Sequence, residues 1–253
     1  MRRVSLVLAL LLLGACGGGS GGGSGAKPTL TVSAAASLKQ AFTQYAAHFG
    51  AATMRGSFAG SDALAAQIQQ GVKPDIFAAA NTKLPDELYA KGLVEKPVVF
   101  AANRLVLAVP AAHAKVRSLA DLERPGVTIA MGSRSVPVGA YTRKVLSGLP
   151  GAAQKALLAN VRSNEPDVAG VVGKVAEGAV DAGFVYVTDV KASGGKLSAI
   201  ELPAGLQPRV AYAAAVVKGA KHPVQASEFL QGLLHGAGRS ALLHAGFEPP
   251  PTG

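Results

Sequence analysis

Short apolar segments alternate with amphipathic segments along nearly the whole chain from Leu30 onward. The apolar segments have the length of strands, whereas the others repeat apolar residues at helical spacing, as in Leu38, Phe42 and Tyr45. When strands alternate with helices, each helix carries the chain back across a sheet, so the strands pair largely in parallel. The sequence therefore predicts an α/β fold of mixed, mostly parallel sheets flanked by helices.

The segment pattern predicts individual elements. Strands are expected at residues 30–32, 54–58, 75–79, 104–109, 127–131, 181–187, 199–202 and 210–217. Helices are expected to follow Ser37, Ser61, Pro85, Pro137 and Asp167, with a further apolar stripe at residues 229–234. Residues 26–253 suffice for two lobes, and a cleft between two such lobes would gather the carboxyl ends of several strands, where α/β proteins bind ligands.

The first residues predict export. Arg2 and Arg3 precede an apolar run at residues 4–13, which is too short to span a bilayer and typical of a signal peptide. Small residues then lead to Cys16, as in the lipobox of bacterial lipoproteins. We therefore predict a signal peptide at residues 1–15 and a lipid on Cys16. The alternative is an ordinary secretory signal followed by an incidental cysteine, but lipidation explains why an exported chain has one cysteine.

A glycine- and serine-rich tether is expected at residues 16–28, since such a segment has nothing to bury. No later segment reaches the roughly 20 apolar residues of a transmembrane helix. The chain is thus expected to be extracytoplasmic, anchored to the cell membrane or held in the periplasm through its lipid.

Charge and composition argue against a nucleic-acid partner. The formal net charge is +10, but lysine and arginine are scattered after the signal, and only 5% of the residues are aromatic. Blocks of basic residues and platforms for base stacking are therefore missing from the sequence. The positive charge is interpreted as a general property of the surface.

The sequence also lacks the patterns of common enzymes and metal sites. The five histidines are far apart, and the single cysteine cannot form a zinc or iron–sulfur site. Neither a phosphate-binding G-x-x-x-x-G-K-[ST] loop nor an H-E-x-x-H motif occurs. We expect no catalysis, no cofactor and no metal ion bound directly by side chains.

Several predicted helices begin at positions suited to an anion. Ser37, Ser61, Val138 and Val168 each lie at the start of an amphipathic helix. The first N–H groups of a helix lack partners within it and carry a partial positive charge, so they attract anions. Each serine taken alone has an alternative role, because a serine at a helix start usually caps its own backbone.

Six short motifs connect these helix starts to a known family. In order, they are S-A-A-A-S-L at 33–38, F-A-G-S at 58–61, P-D-I-F at 74–77, V-P-V-G-x-Y at 136–141, E-x-D-V at 165–168 and G-F-V-Y-x-x-D at 183–189. Together they resemble the substrate-binding proteins of molybdate ABC transporters. Each motif is weak alone, but their order and approximate spacing match over about residues 30–247.

The resemblance implies a two-lobed periplasmic-binding-protein fold of the type II kind, with the ligand in the cleft between lobes. Lobe 1 is expected at residues 29–107 and 211–248, lobe 2 at 108–210, and a tail at 249–253. The resemblance implies a monomer that captures molybdate, or tungstate, and delivers it to the permease and ATPase of an ABC transporter.

The resemblance also implies the ligand-binding residues. Hydroxyl and backbone donors would come from Ser37 and Ser61, backbone N–H groups from Val138 and Val168, and a phenolic hydroxyl from Tyr186. The chain departs from the family at Val138, where alanine is common, and at Asp62, where a small residue is common. The alternatives are the same fold binding sulfate or another oxyanion, an exported hydrolase, and a scaffold lipoprotein without a ligand.

Overall fold

A computed structural model describes residues 27–251. The predicted signal peptide, Cys16 and nearly all of the predicted tether lie outside the described residues. Within residues 27–251, no helix is long and apolar enough to cross a lipid bilayer.

Ten strands and nine α-helices form within residues 27–251. The strands are β1 (Thr29–Ala35), β2 (Thr53–Ala59), β3 (Ile76–Ala79), β4 (Val98–Asn103), β5 (Leu105–Pro110), β6 (Ile129–Gly132), β7 (Val161–Glu165), β8 (Ala182–Tyr186), β9 (Leu197–Glu201) and β10 (Val210–Val216). The helices are α1 (Lys39–Ala46), α2 (Ser61–Gln69), α3 (Lys83–Ala90), α4 (Pro137–Ser147), α5 (Gly151–Ala159), α6 (Val168–Ala176), α7 (Val187–Ala192), α8 (Pro223–Leu234) and α9 (Ala237–Ala245).

The strands form two five-stranded sheets, one in each lobe. Their orders are β2-β1-β3-β10-β4 and β7-β6-β8-β5-β9. Each sheet contains two parallel and two antiparallel pairings. The α/β class and the mixed sheets are thus confirmed, although parallel pairings do not outnumber antiparallel ones. β10 and β5 account for the difference, because each of them pairs antiparallel with both of its neighbours.

The two sheets repeat one topology. β1 and β6 occupy equivalent places, each flanked by the two parallel strands that follow it along the chain, β2 and β3 or β7 and β8. An antiparallel strand, β10 or β5, comes next in each sheet. Each lobe therefore collects the carboxyl ends of three parallel strands at one edge, and helices begin shortly after those ends.

At the amino ends of the parallel strands, an aspartate in each lobe accepts hydrogen bonds from a threonine of the neighbouring strand segment. Asp75 accepts hydrogen bonds from the N–H and the hydroxyl of Thr31, at 2.7 and 2.6 Å, and from the N–H of His222 at 2.8 Å. In lobe 2, Asp181 accepts hydrogen bonds from the N–H and the hydroxyl of Thr128, at 2.9 and 2.8 Å. Burial alone would raise the pKa of Asp75, but its hydrogen bonds outweigh burial and hold the pKa below its ordinary value.

The main hydrophobic core extends through both lobes, and a smaller one lies on the other face of the first sheet. β3 contributes to both, since successive side chains of a strand point to opposite faces. Ile76 and Ala78 join the main core, whereas Phe77 and Ala79 face the smaller core beneath α2 and α3, with Leu64 and Leu88.

The chain crosses between the sheets twice, first from β4 to β5 and later from β9 to β10. The predicted lobe boundary after residue 107 falls within β5, whereas the structure changes sheet at Arg104. Because β4 was not predicted, the change of sheet between β4 and β5 could not be placed from the sequence. The later predicted boundary, at 210/211, lies one residue inside β10.

Candidate anion-binding site

The carboxyl ends of the parallel strands face each other across the cleft between the lobes. A small cavity of about 20 Å³ lies there, and it receives strand ends and helix starts from both sheets. Its lining residues are Ala35, Ala36, Ser37, Ala59, Gly60, Ser61, Ala80, Val136, Pro137, Val138, Asp167, Val168 and Tyr186. All five predicted ligand-binding residues are in this set. Because about 10–15 Å³ already holds one water molecule, the cavity suits a small, compact ligand.

The two lobes contribute equivalent positions. Ser37 follows β1 and Val138 follows β6, whereas Ser61 begins α2 after β2 and Val168 begins α6 after β7. Tyr186 ends β8 in lobe 2, and the equivalent position in lobe 1, just after β3, is occupied by Ala80. The repeated topology thus explains why residues far apart in sequence surround one cavity.

Ser61 does not cap its own helix, contrary to the simplest expectation for a serine at a helix start. Gly60 is the N-cap residue of α2, and Ser61 is the first helical residue. The Ser61 hydroxyl oxygen instead accepts the N–H of Ala80 at 3.1 Å. Since that oxygen is already an acceptor, its own hydrogen remains available as a donor.

Ser37 is held by a hydrogen-bond chain that begins where the lobes connect. Its Oγ lies 2.9 Å from the hydroxyl of Tyr212, which also accepts a bond from Asn103 Nδ2 at 3.4 Å. The orientation of the Asn103 amide follows from its Oδ1, which accepts the N–H of Arg104 at 2.9 Å. With Asn103 donating to Tyr212, the Tyr212 hydroxyl can donate to Ser37 and leave the Ser37 hydrogen for a ligand.

Tyr186 brings a buried phenol to the cavity. The side chain is 1% exposed, and its hydroxyl has no partner at hydrogen-bonding geometry among the described residues. Burial, and then the neighbouring Tyr212, raise the pKa of Tyr186 well above its ordinary value. The phenol therefore stays protonated and can donate one hydrogen bond to an anion.

Asp189 fixes the backbone of Tyr186 from behind. Its Oδ2 accepts the Tyr186 N–H at 2.9 Å. Burial, with a smaller contribution from the charge of Asp167, outweighs the lowering effect of this hydrogen bond and raises the pKa of Asp189 to about 7. Asp189 is the last residue of the motif at 183–189, but the sequence predicted no role for it.

Val138 and Val168 lie in the first turns of α4 and α6, both buried. First-turn N–H groups have no partner within their own helix, so these two can face a ligand. A β-carbon added at Gly132 would lie 2.6 Å from Cγ1 of Val138. One methyl group of Val138 thus packs on β6, which limits how far the extra bulk of valine narrows the cavity.

Neutral donors dominate the cavity. No lysine, arginine or histidine belongs to the lining residues of the described chain, and the one carboxylate, that of Asp167, accepts the N–H of Gly170 at 2.9 Å as the cap of α6. Residues 27–251 also contain no group of three or more His, Cys, Asp or Glu side chains placed to hold a metal ion. Such a lining can hold an acceptor-rich anion by hydrogen bonds alone.

The lobes touch at the rim of the cavity. A β-carbon added at Gly60 of lobe 1 would overlap the carbonyl oxygen of Pro166 in lobe 2 and lie 3.4 Å from Cγ1 of Val136. The two backbones approach this closely because Gly60 has no side chain. The described arrangement is thus a closed cleft.

Comparison with known proteins agrees with this architecture. The family described as bacterial extracellular solute-binding protein matches residues 30–248. The molybdate-binding protein ModA of Mycobacterium tuberculosis is 37% identical over 97% of both chains. The putative ABC transporter substrate-binding lipoprotein YvgL of Bacillus subtilis is 32% identical over 90% of both. The solved periplasmic molybdate-binding protein of Azotobacter vinelandii shares the fold, with a TM-score of 0.79, 23% identity and coverage of 88% of this chain and 100% of that one. The chain therefore belongs to the bacterial extracellular solute-binding protein family.

Proposed function

We propose that the chain binds molybdate between its lobes and delivers it to an ABC transporter. The observation that carries this proposal is a single small cavity whose lining, within residues 27–251, contains no lysine, arginine or histidine. Around it lie Ser37, Ser61, Val138, Val168 and Tyr186. A tetrahedral oxyanion presents acceptors in four directions, which matches donors arriving from both lobes. The names of the relatives support the choice of ligand and of transporter class.

Binding without chemical conversion fits the family. Solute-binding proteins are not enzymes, so the prediction of a non-catalytic chain is confirmed. The family is extracellular, which places the chain outside the cytoplasm. The remaining parts of the proposal are tungstate as a second ligand, a monomer as the working form, the absence of a cofactor, and a permease and ATPase as partners.

The strength of the donors decides how the anion is held. Four helix starts contribute ~0.3–1 kcal/mol each, at most about 4 kcal/mol together. Micromolar affinity requires about 8 kcal/mol, so helix dipoles alone are too weak. About six hydrogen bonds to a charged group, at ~1.5–3 kcal/mol each, supply the rest after the cost of association. Neutral donors also suit a carrier that must release its ligand.

Selection among oxyanions is expected to depend on size. Molybdate and sulfate are both tetrahedral dianions near neutral pH, so charge does not distinguish them. The hydroxyls of Ser61 and Ser37 are held by Ala80 and Tyr212, and they cannot follow a smaller ion inward. Hydrogen bonds weaken beyond ~3.2 Å, and each buried donor left unpaired costs about 1–3 kcal/mol.

We therefore expect sulfate to bind about a hundredfold more weakly than molybdate, as two lost hydrogen bonds imply. Tungstate should bind nearly as well as molybdate. Phosphate should bind least, because it carries a proton and the one carboxylate of the described lining, that of Asp167, already accepts the Gly170 N–H as the cap of α6. Calorimetric titration of the full chain with all four anions measures these affinities. Sulfate that displaces molybdate at comparable concentration would refute selection by size and favour the sulfate alternative, and no heat with any anion would favour a scaffold.

The lipid anchor is a separate part of the proposal. It rests on the small residues before Cys16 and on the Gly- and Ser-rich segment after it, and YvgL is named a lipoprotein. We expect a Cys16→Ser variant to leave the membrane fraction and appear in the soluble extracytoplasmic fraction, since it lacks the thiol that would carry the acyl chains. Cell fractionation and blotting measure this. A variant as firmly membrane-bound as the parent would disprove the anchor.

A further inference from the structure

Asp62 is an unusual neighbour for an anion site. Among the described residues, the buried side-chain oxygen or nitrogen atoms without a hydrogen-bond partner are Asp62 Oδ1, Ser163 Oγ and Tyr186 Oη. The binding of an oxyanion gives the Tyr186 hydroxyl a partner. It gives none to Asp62 Oδ1, because a carboxylate oxygen and an oxyanion are both acceptors. The cost of burying Asp62 Oδ1 therefore remains in the loaded protein.

The position of Asp62 connects this cost to closure of the lobes. Asp62 lies in the first turn of α2, next to Ser61. The β-carbon position of Gly60 lies 2.8 Å from Asp62 Oδ1 and also overlaps the carbonyl oxygen of Pro166. Gly60 thus separates a lobe 1 carboxylate from a lobe 2 carbonyl oxygen. The Asp62 side chain is otherwise half-buried. When the lobes part, Pro166 moves away and water can also reach Oδ1.

Two unfavourable effects follow in the closed state. The first is the burial of a carboxylate oxygen without a donor, in the neighbourhood of a second acceptor, the Pro166 carbonyl oxygen. The second is competition at α2, since the carboxylate and a bound oxyanion both interact with the positive N-terminal end of the same helix. Both effects are smaller in the open protein, where water solvates the carboxylate.

We propose that Asp62 opposes closure and thereby sets the affinity and release rate of the oxyanion. This proposal rests on the proposed function for its ligand, but its effect on the lobes does not require one. The carboxylate keeps the empty protein open, and it weakens binding of the anion enough to favour transfer to the transporter. Asp62 acts through the geometry of the lobes and the field at α2, without touching the ligand.

Substitutions of Asp62 distinguish an effect on closure of the lobes from an effect on the stability of α2 alone. Asp62→Ala removes the carboxylate, and Asp62→Asn also places an amide donor near the Pro166 carbonyl. The matched control is Asp86→Asn, which removes an exposed carboxylate from the first turn of α3 in the same lobe. A role confined to stabilising α2 would lower the unfolding temperature of the Asp62 variants and leave their affinity unchanged.

The experiment uses the full chain with Cys16→Ser in every variant. Titration calorimetry and stopped-flow release with molybdate are expected to show binding about tenfold tighter for Asp62→Asn, severalfold tighter for Asp62→Ala, and slower release for both. Asp86→Asn should match the parent. Equal or weaker binding by Asp62→Asn, or equal tightening by Asp86→Asn, would overturn the proposal.

Small-angle X-ray scattering of the anion-free proteins distinguishes this proposal from the proposed function. We expect a smaller radius of gyration for Asp62→Asn than for the parent, because the closed form becomes more populated. If the parent fails to bind molybdate, the proposed function fails. In that case a more compact Asp62→Asn protein would still support the role of Asp62, and identical scattering would refute it.

Discussion

Replacing Gly60 with valine is expected to weaken molybdate binding by about a hundredfold, the upper end of the ~1–3 kcal/mol that overpacking costs. The added β-carbon would overlap the Pro166 carbonyl oxygen in the closed cleft, and a backbone atom cannot rotate out of the way as a side chain can. The Gly60 backbone, with φ −58° and ψ 132°, suits valine. The β-carbon would also lie 2.8 Å from Asp62 Oδ1 of the same lobe, but that carboxylate ends a side chain that can rotate away. Lobe 1 should therefore fold, and closure should suffer most.

Titration calorimetry together with thermal unfolding measures both effects. The matched control is Gly50→Val, because a β-carbon at Gly50 of the same lobe meets no atom within 4 Å. Gly60→Ala should give an intermediate loss of affinity. Parental affinity in Gly60→Val would show that closure at this contact is not needed for binding.

Replacing Ser61 with alanine is expected to weaken molybdate binding by about ten- to hundredfold, the value of one hydrogen bond to a charged group, ~1.5–3 kcal/mol. The same change leaves the buried Ala80 N–H without its acceptor, so the free energy of unfolding should also fall by about 1–3 kcal/mol. Ser37→Ala should lose affinity to a similar extent, because it removes the end of the chain from Asn103 through Tyr212.

Calorimetry well below the unfolding temperature separates affinity from stability. Ser33→Ala is the matched control, since Ser33 is a buried serine of β1 outside the cavity lining. It should bind molybdate as the parent does. A stable Ser61→Ala protein with unchanged affinity would leave Ser61 with a structural role only, as the acceptor for Ala80.

The sequence predicted best those elements whose apolar residues follow a clear period. The strands around residues 54–58 and 210–217 and the helix from Pro137 were predicted to within about two residues. β4 and β7 were not predicted. β7 is a polar edge strand with half-buried and exposed residues in alternation, and β4 joins the apolar run of β5 across Asn103 and Arg104. Edge position and a change of sheet leave little trace in local composition.

The candidate site also contains residues that were predicted from the sequence and residues that were not. The five residues around the cavity were predicted because motifs at helix starts remain recognisable over short stretches of chain. The groups that orient them were not predicted, because they come from distant parts of the sequence. Tyr212, for example, is 175 residues from Ser37, and Ala80 meets Ser61 only through the pairing order of β2, β1 and β3. Such contacts depend on topology, which local patterns do not determine.

Binding of molybdate between the lobes can be tested by locating molybdenum in crystals of the molybdate-loaded protein by anomalous diffraction at its absorption edge. We predict one strong peak in the cavity between the lobes, with oxygens within hydrogen-bonding distance of the donors of Ser37, Ser61, Val138, Val168 and Tyr186. A peak elsewhere on the protein, or an empty cavity in crystals grown with saturating molybdate, would contradict it.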